Sequence, residues 1–269
     1  MKDLVIKNLV FSYPGDFLAV DDISMEIKAG ENVAIVGQNG AGKSTTVKLM
    51  NGLLKPTKGD VLVGDMNTKD YTTAQIAKHV GYVFQNPDDQ IFNATVEQEV
   101  AYGPKYMKLD PEEEKRRVEF ALKVTGMDEF KDENPMNLPL STRKFVTIAA
   151  VIAMDTDIMI FDEPTAGQDI EGNKRLGEIL KVLHEMGKTV ITISHDMEFV
   201  VENFDRVIVM AKRKVVKEGT PEEIFWDLET LKYAMLHQPY VSRVCGALGV
   251  KKQVIHMDEA VEEILKLKK

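Results

Sequence analysis

Short apolar runs recur along the chain and alternate with segments whose apolar residues follow a helical spacing. Strands that are apolar at nearly every position are typical of a parallel sheet covered by helices on both faces. The early segments at 4–13 and 23–27 alternate between apolar and polar residues, as an antiparallel sheet does. We therefore predict an α/β fold with a mostly parallel core sheet and an antiparallel β subdomain. The predicted core strands lie at 32–36, 80–84, 158–161 and 189–193.

Two helix starts are visible where a capping residue precedes proline. Asp110-Pro111 and Thr220-Pro221 each combine a polar cap with a proline at the first helical position and acidic residues after it. Gly126 is predicted to end the first of these helices, because glycine tolerates the left-handed conformation that closes a helix.

These elements divide the chain into one α/β domain at 1–220 and a C-terminal helical extension at 221–269. The stretch from about 87 to 155 has no clear strand and is predicted to be a helical subdomain inserted in the α/β domain. The segment 258–267 has the pattern of an amphipathic helix that packs on the body or on a second subunit. The apolar residues that share its predicted face are Ala260, Val261, Ile264 and Leu265.

Composition limits the partners. The net charge of −9 argues against nucleic acid as a main partner, because phosphate binding needs a basic face. The single cysteine, Cys245, allows no internal disulfide and is predicted to be a small core residue. The N-terminus has no signal-peptide pattern. The longest apolar stretch, 146–154, is far shorter than the ~20 residues of a membrane span, so we expect any membrane role to depend on a partner.

A glycine-rich segment directly follows the strand at 32–36 and precedes a helical pattern at 44–51. Its sequence fits G-x-x-x-x-G-K-[ST]. Its glycines let backbone N–H groups turn towards phosphate oxygens, and the helix N-terminus reinforces the attraction. Lys43 is predicted to neutralise phosphate charge and Ser44 to ligate Mg²⁺. The motif comprises Gly37, Gln38, Asn39, Gly40, Ala41, Gly42, Lys43 and Ser44.

Polar residues also end the other predicted strands. Asp162 and Glu163 follow the strand at 158–161, and we predict that Asp162 holds Mg²⁺ through water while Glu163 polarises the attacking water as general base. Gln85 and His195 end the strands at 80–84 and 189–193. Taken alone, Gln85 is an ordinary loop glutamine and His195 is an ordinary polar residue at the end of a strand. In this sheet both are predicted to lie beside the phosphates.

Together these residues resemble an ABC ATPase over roughly residues 2–240. The resemblance implies a P-loop NTPase (RecA-like) fold, transport-coupled ATP hydrolysis, and ATP and Mg²⁺ as cofactors. Tyr13 matches the A-loop aromatic that stacks on adenine, although a strand-end core tyrosine is the alternative. The implied nucleotide-binding residues are Tyr13, Gly37, Asn39, Gly40, Ala41, Gly42, Lys43, Ser44, Thr45 and the D-loop residue Asp169. The implied catalytic residues are Glu163, the switch residue His195 and the glutamine-loop residue Gln85, and the metal ligands are Ser44, Gln85 and Asp162.

Within that family, residues 84–92, which read FQNPDDQIF, resemble the glutamine loop of energy-coupling factor (ECF) and cobalt/nickel transporter ATPases. Residues 239–244 are similar to the C-terminal extension of those subunits. The resemblance implies the ATPase subunit of an importer for a vitamin or transition-metal ion, peripheral on the cytoplasmic face of the cell membrane. Its implied partners are a second ATPase, an integral-membrane coupling subunit and a substrate-binding membrane protein. We expect 86–90 to be partly exposed, beside a groove for a helix of the membrane partner.

The family's LSGGQ signature, which reaches across a dimer to the partner's γ-phosphate, is degenerate here. Residues 138–142 read LPLST. One register matches Leu140-Ser141 to the motif's Leu-Ser and needs a deletion. The gap-free register, which we prefer, puts Pro139 at the serine position and Leu140 at a glycine, so a donor is lost and bulk is added where backbone approaches phosphate. We therefore predict a heterodimer with a second ATPase that carries an intact signature.

Two basic groups are predicted to be solvated. They are the Arg143-Lys144 pair at a helix start and the cluster of Lys212, Arg213, Lys214 and Lys217 in a hairpin between strands. A compensating cation at Arg143 and a nucleic-acid contact at the hairpin are the alternatives.

Other functions also fit parts of the pattern. They are the ATPase of another ABC transporter class, a soluble ABC machine for DNA repair or translation, and a regulatory module that does not hydrolyse ATP. The chain shows neither the long coiled-coil insertion of repair types nor the second cassette of translation types. The degenerate signature leaves the regulatory module open.

Overall fold

The computed structural model describes residues 2–267, which form two β-sheets surrounded by helices. In chain order the strands are β1 (Leu4–Tyr13), β2 (Phe17–Ile27), β3 (Asn32–Val36), β4 (Lys58–Val63), β5 (Met66–Asn67), β6 (Val80–Val83), β7 (Ile158–Asp162), β8 (Thr189–Ile193), β9 (Arg206–Ala211) and β10 (Lys214–Gly219). The α-helices are α1 (Lys43–Met50), α2 (Thr73–Ile76), α3 (Val96–Tyr106), α4 (Pro111–Thr125), α5 (Leu140–Ala153), α6 (Ile170–Glu185), α7 (Met197–Asn203), α8 (Pro221–Phe225), α9 (Leu228–Ala234), α10 (Tyr240–Ala247) and α11 (Met257–Lys266).

The larger sheet has the strand order β10-β9-β3-β8-β7-β6. All of its pairings are parallel except the one between β9 and β10. The four predicted core strands are present, and β3, β6, β7 and β8 are buried at every position. Because parallel strands end at a common edge, this topology brings together the loops that follow β3, β6, β7 and β8.

The smaller sheet is antiparallel, with the order β2-β1-β4-β5. This confirms the antiparallel β subdomain, and the predicted strand at 23–27 is the end of the longer β2. Sequence patterns did not predict β4 and β5. Strand β4 has only three clearly apolar residues, Val61, Leu62 and Val63, and its pairing with β1 joins segments about fifty residues apart. Tertiary pairing therefore decides its conformation.

Between β6 and β7 the described chain is helical, with α3, α4 and α5 packed on one another. The predicted start of α4 is confirmed, since the Asp110 carboxylate accepts a hydrogen bond of 2.9 Å from the backbone N–H of Glu112. Gly126 ends this helix in the left-handed region at φ +68°. A reciprocal capping box between Thr220 and Glu223 starts α8, as predicted.

Two main layers form the core. One lies between the two sheets, and the other lies between the larger sheet and the helices α3 to α7. The last two helices have a small core of their own around Cys245, which is fully buried as predicted. Along α11, Ala260 packs inside this core, whereas Val261 and Leu265 are exposed, so only half of the predicted apolar face is covered.

Within residues 2–267, none of the helices has both the length and the apolar character that crossing a bilayer requires.

Candidate active site

The loop between β3 and α1 is pressed against neighbouring backbone, which explains two of its glycines. A Cβ on Gly37 would lie 2.1 Å from the carbonyl oxygen of Met210, and one on Gly42 would lie 2.6 Å from that of Ala19. Both glycines have positive φ, +151° and +97°. Gly40, at φ +78°, faces open space. The loop is therefore a bare backbone surface ahead of a helix N-terminus, which is what a phosphate group binds.

Lys43 is the first residue of α1 and lies over the loop. Its Nζ donates to the carbonyl oxygens of Gly37 (2.7 Å) and Gln38 (3.1 Å). Burial lowers the pKa of Lys43, and this effect outweighs the opposing attraction of the Glu163 and Asp162 carboxylates. The ammonium group thus sits at the junction between the phosphate loop and the acid pair.

Asp162, at the end of β7, is 2% exposed and is held at both carboxylate oxygens. Ser44 Oγ donates to Oδ1 (3.2 Å), and the Tyr82 hydroxyl donates to Oδ2 (2.7 Å). Burial raises the pKa of Asp162, while these two hydrogen bonds oppose the rise. Adjacent hydroxyl and carboxylate oxygens are the donors that Mg²⁺ prefers, so Ser44 and Asp162 fit this ion.

Tyr82 is a site residue that sequence reasoning missed. It was taken for one of several apolar residues of a buried strand. Its position one residue before the end of β6, next to the strand that carries the acid pair, is the signal that could have found it. Strands β6 and β7 pair in parallel with Tyr82 opposite Ile160.

The Glu163 carboxylate is also held at both oxygens. Oε1 lies 2.9 Å from Nε2 of His195, and Oε2 accepts a hydrogen bond of 2.7 Å from Nε2 of Gln85. The hydrogen bond from His195 lowers the pKa of Glu163 against the effect of burial, and the positive charges of Lys43 and Lys144 lower it further. The carboxylate is therefore an ionised group with a fixed orientation.

His195 Nε2 lies near two groups that make opposite demands. It is 2.9 Å from the Glu163 carboxylate, which only accepts hydrogen bonds, and 3.3 Å from the Lys43 ammonium, which only donates. A single tautomer satisfies one contact at a time. The shorter contact favours a proton on Nε2 that is donated to Glu163.

The remaining predicted nucleotide-binding residues are spread around the loop. The Tyr13 hydroxyl is 3.2 Å from Thr45 Oγ1, so these two residues are together at one side. Asn39 is exposed, whereas the side chain of Ala41 is buried and leaves only backbone for a ligand. Asp169 accepts a hydrogen bond of 2.8 Å from the N–H of Gly172 and caps α6; its contacts are with that helix rather than with the acid pair.

Arg143 and Lys144 were predicted to be solvated, and this prediction is wrong. Arg143 Nη1 forms a 2.6 Å ion pair with Asp88 in the loop after β6. Lys144 is 3% exposed, and its Nζ donates to the backbone carbonyls of Glu163 (2.9 Å) and Ala166 (3.0 Å). Helical spacing could have revealed it, because Lys144 lies four residues before Ile148 on the buried face of α5.

The basic hairpin between β9 and β10 was predicted to be solvated, but two of its lysines form ion pairs with other parts of the chain. Its last two lysines lie within β10 and not between strands. Lys214 pairs with Asp21 at 3.0 Å, and Lys217 pairs with Asp227 at the start of α9. These contacts attach the hairpin to its own chain.

The degenerate signature forms the start of α5. Pro139 is the N-cap, and no described side chain caps this end. Leu140 is 50% exposed in the first turn. The carbonyl oxygen of Ser141 accepts a hydrogen bond of 3.0 Å from Gln168 Nε2 in the loop before α6. Pro139 therefore stands at a position that serine commonly fills, whereas Ser141 lies within the helix.

An open groove of about 250 Å³ lies beside the site, between the loop after β6 and the helices α3 and α5. Phe92 is 64% exposed and stacks edge-on against Tyr102, with ring centroids 4.7 Å apart. The buried Glu99 carboxylate accepts hydrogen bonds from the backbone of Phe92 (3.1 Å) and of Asn93 (2.8 Å). In the segment 86–90 every residue except Pro87 is at least partly exposed, as expected.

The chain is similar to curated proteins along most of its length. The sequence model of the ABC transporter family matches residues 20–166 of this chain. The energy-coupling factor transporter ATP-binding protein EcfA of Methanocaldococcus jannaschii is 41% identical over 250 residues, which cover 92% of this chain and 90% of that protein. EcfA1 of Caldanaerobacter subterraneus is 44% identical over 250 residues, 90% of each chain.

Solved structures share the fold. The structure of cbiO1 from Clostridium perfringens, part of the ABC transporter complex cbiONQ, has a TM-score of 0.75 and 38% identity, covering 85% of this chain and 92% of that one. A dimeric ATP-binding cassette in a post-hydrolysis state, bound to ADP and Pi, has a TM-score of 0.73 and 28% identity, covering 81% and 98%. The predicted P-loop NTPase fold and the resemblance to ECF ATPases are confirmed.

Proposed function

The chain belongs to the ABC transporter family, among its energy-coupling factor ATP-binding proteins, and from this premise we propose how its residues serve ATP hydrolysis. It is a nucleotide-binding, ATP-hydrolysing subunit, and it couples that reaction to the uptake of a vitamin or transition-metal ion through separate membrane subunits. One observation carries the proposed chemistry. The ionised Glu163 carboxylate is fixed between Gln85 and His195, next to Lys43 and the phosphate loop.

In this arrangement Glu163 aligns and polarises the attacking water. Its two oxygens already accept from Gln85 and His195, and each carboxylate oxygen has a further lone pair for a water proton. Lys43 and the backbone N–H groups of the loop neutralise the charge on the transferred phosphoryl group. Tyr13, beside Thr45, forms the wall for the adenine ring, and Asn39, Gly40 and the backbone of Ala41 complete the loop surface. His195 turns between Glu163 and the γ-phosphate, and Asp169 belongs to the contact with the second subunit.

Ser44 and Asp162 are proposed to hold Mg²⁺, with Gln85 as a further ligand. The ion, when bound, would supply positive charge that offsets the charge of the triphosphate. Tyr82 fixes the second oxygen of Asp162 and so points the first oxygen towards Ser44. A ligand oriented by an outer hydrogen bond in this way is common in metal sites.

The second subunit is proposed to be a different ATPase with an intact signature. The support is the start of α5, where proline and leucine stand at the serine and first glycine positions of the motif. The C-terminal extension is proposed to contribute to the dimer contact, because it carries exposed apolar residues at helical spacing. These residues are Tyr240 and Val244 on α10, Leu248 at its C-cap, and Met257, Val261 and Leu265 on α11.

The groove beside α3 is proposed to receive a helix of the integral-membrane coupling subunit, which holds the chain at the cytoplasmic face of the membrane. Its exposed aromatic residues suit an apolar helix face. We expect cysteines introduced at Asn86 or Asp89 to crosslink to a membrane subunit in the assembled complex, detected on gels after affinity purification. Crosslinks that run only to a cytosolic protein would contradict the transporter assembly.

Two substitutions test the hydrolytic role. Lys43→Ala removes a phosphate-binding charge and should weaken ATP binding, whereas Glu163→Gln keeps the shape of the site and should spare binding but stop turnover. ATP affinity and phosphate release are measured in the assembled complex. Unchanged hydrolysis by Glu163→Gln would remove this residue from the role of base.

A further inference from the structure

Lys144 is buried, and within residues 2–267 its ammonium group donates hydrogen bonds only to one short loop. Burying an ammonium group is costly unless it is well paired. Here Nζ donates to two carbonyl oxygens, those of Glu163 and Ala166, at 2.9 and 3.0 Å. Burial also lowers the pKa of Lys144, and the Glu163 and Asp162 carboxylates oppose this change.

The loop that Lys144 contacts has an unusual conformation. Glu163 has φ +51°, a left-handed conformation that residues with a side chain rarely adopt without support. The turn closes where the N–H of Ala166 approaches the carbonyl of Glu163 at 3.2 Å, and Gly167 continues it at φ +78°. The two carbonyls that Lys144 binds are those at the beginning and the end of this turn.

A third hydrogen bond joins the same two elements. Gln168 Nε2 donates to the carbonyl oxygen of Ser141 in the first turn of α5. The loop 163–168 is therefore attached to α5 from both directions, by two hydrogen bonds from a side chain of the helix and one from a side chain of the loop. The backbone of Glu163 and the start of α5 are held as one unit.

We propose that Lys144 is a positioning residue for hydrolysis, which holds the left-handed turn at Glu163 so that the carboxylate stays aligned with Gln85 and His195. The inference rests on the proposed role of Glu163 as base and adds the residue that fixes its geometry. Displacement of a reacting group by about 1 Å can lower a rate by ~10²-fold. The effect of losing Lys144 should therefore appear in turnover rather than in ATP binding, because Lys144 has no hydrogen bond to the phosphate loop.

The test compares three variants of the full chain in its assembled transporter complex. Lys144→Met removes the donors but keeps a flexible chain of similar size, and Lys144→Gln restores N–H donors without the charge. The matched control is Lys55→Met. Lys55 Nζ also donates to two backbone carbonyls, those of Thr68 and Tyr71, which belong neither to the loop 163–168 nor to the phosphate loop.

We expect Lys144→Met to lower kcat by about 10²-fold while KM for ATP stays within ~3-fold, as positioning requires. Lys144→Gln should recover at least ~10-fold of that loss, since hydrogen-bond donors are the groups needed. Lys55→Met should leave kcat unchanged. If the Lys144→Met variant does not assemble, the Lys144→Gln variant provides the test by itself. The inference predicts that its kcat is reduced while its KM for ATP is unchanged.

Two results would overturn the inference. One is a kcat of Lys144→Met within ~3-fold of the parent protein. The other is a parallel loss of kcat and ATP binding in both Lys144 variants together with a lower melting temperature, which would show that Lys144 only supports packing. Glu163→Gln is measured alongside. If it too retains turnover, the proposed function itself fails; if it blocks turnover while Lys144→Met does not, only this inference fails.

Discussion

The N-termini of α1 and α5 are both helix ends of the kind that can bind phosphate, yet they differ in what they present. Helix α1 follows a loop of glycines and begins with Lys43 and Ser44, so backbone donors, a cation and a hydroxyl converge there. Helix α5 follows Pro139 and begins with the half-exposed Leu140. A helix N-terminus attracts anions through its free N–H groups, but a side chain or a proline ring before it keeps the phosphate away.

In the proposed dimer each nucleotide site is shared between two subunits, and this chain would supply a well-equipped phosphate-binding end at α1 and a poorly equipped signature end at α5. In the proposed dimer, the α1 end of this chain would face the α5 end of the second subunit. Two copies of this chain would form two compromised sites. A partner with an intact signature would form one good site, which is built on Lys43 and Glu163 of this chain.

The largest expected effect is an asymmetry between the two subunits. Glu163→Gln should stop turnover at the good site, so phosphate release by the assembled complex should fall to that of the second site, which lacks positioned γ-phosphate donors and is slower by ~10²–10³-fold. The equivalent acid-to-amide change in the partner, measured in the same assay, should cost far less. The predicted asymmetry would be contradicted if the purified protein, without its partners, hydrolyses ATP cooperatively at the rate of its complex.

A smaller effect is expected from repairing the weak side. Pro139→Ser, Leu140→Gly, Ser141→Gly and Thr142→Gln together should raise hydrolysis at the second site by about 10-fold, since one positioned donor can change a rate by more than that. The gain is measured in complexes that also carry Glu163→Gln, so that the good site is silent. Glycine costs up to about 1 kcal/mol within a helix, and melting temperatures control for this loss.

Ser141→Ala alone is the control that separates the two registers. In the gap-free register it should leave hydrolysis unchanged, because Ser141 then stands at a glycine position. A clear loss of hydrolysis would show that Ser141 is the serine that contacts phosphate. The signature end of α5 would then keep a phosphate-binding hydroxyl despite Pro139 and Leu140.

Much of the site could be predicted from sequence because its residues lie directly after buried strands. Gln85, Asp162, Glu163 and His195 all follow apolar runs, and a parallel sheet brings the ends of such runs together. The glycine spacing ahead of Lys43 identified the phosphate loop without any distant contact. Strand β4 shows the opposite case, since its short apolar run becomes a strand only by pairing with β1.

Lys144 shows why local pattern was insufficient. Next to Arg143 at a helix start it has the pattern of a solvated pair, yet the packing of α5 under the sheet buries it against the carbonyls of Glu163 and Ala166. Tyr82 was missed for a related reason. A tyrosine in an apolar strand gives no sign of where its hydroxyl goes, and the neighbouring strand supplies Asp162 as the acceptor.

The sequence by itself determined the class of fold, the phosphate loop and the acid pair, because glycine conformation, strand burial and charge are properties of short segments. The tertiary structure decided which groups hold those residues in place. The left-handed turn at Glu163 and its attachment to α5 join residues that are about twenty positions apart in the chain. Such contacts depend on how a helix packs against a sheet, which no local pattern records.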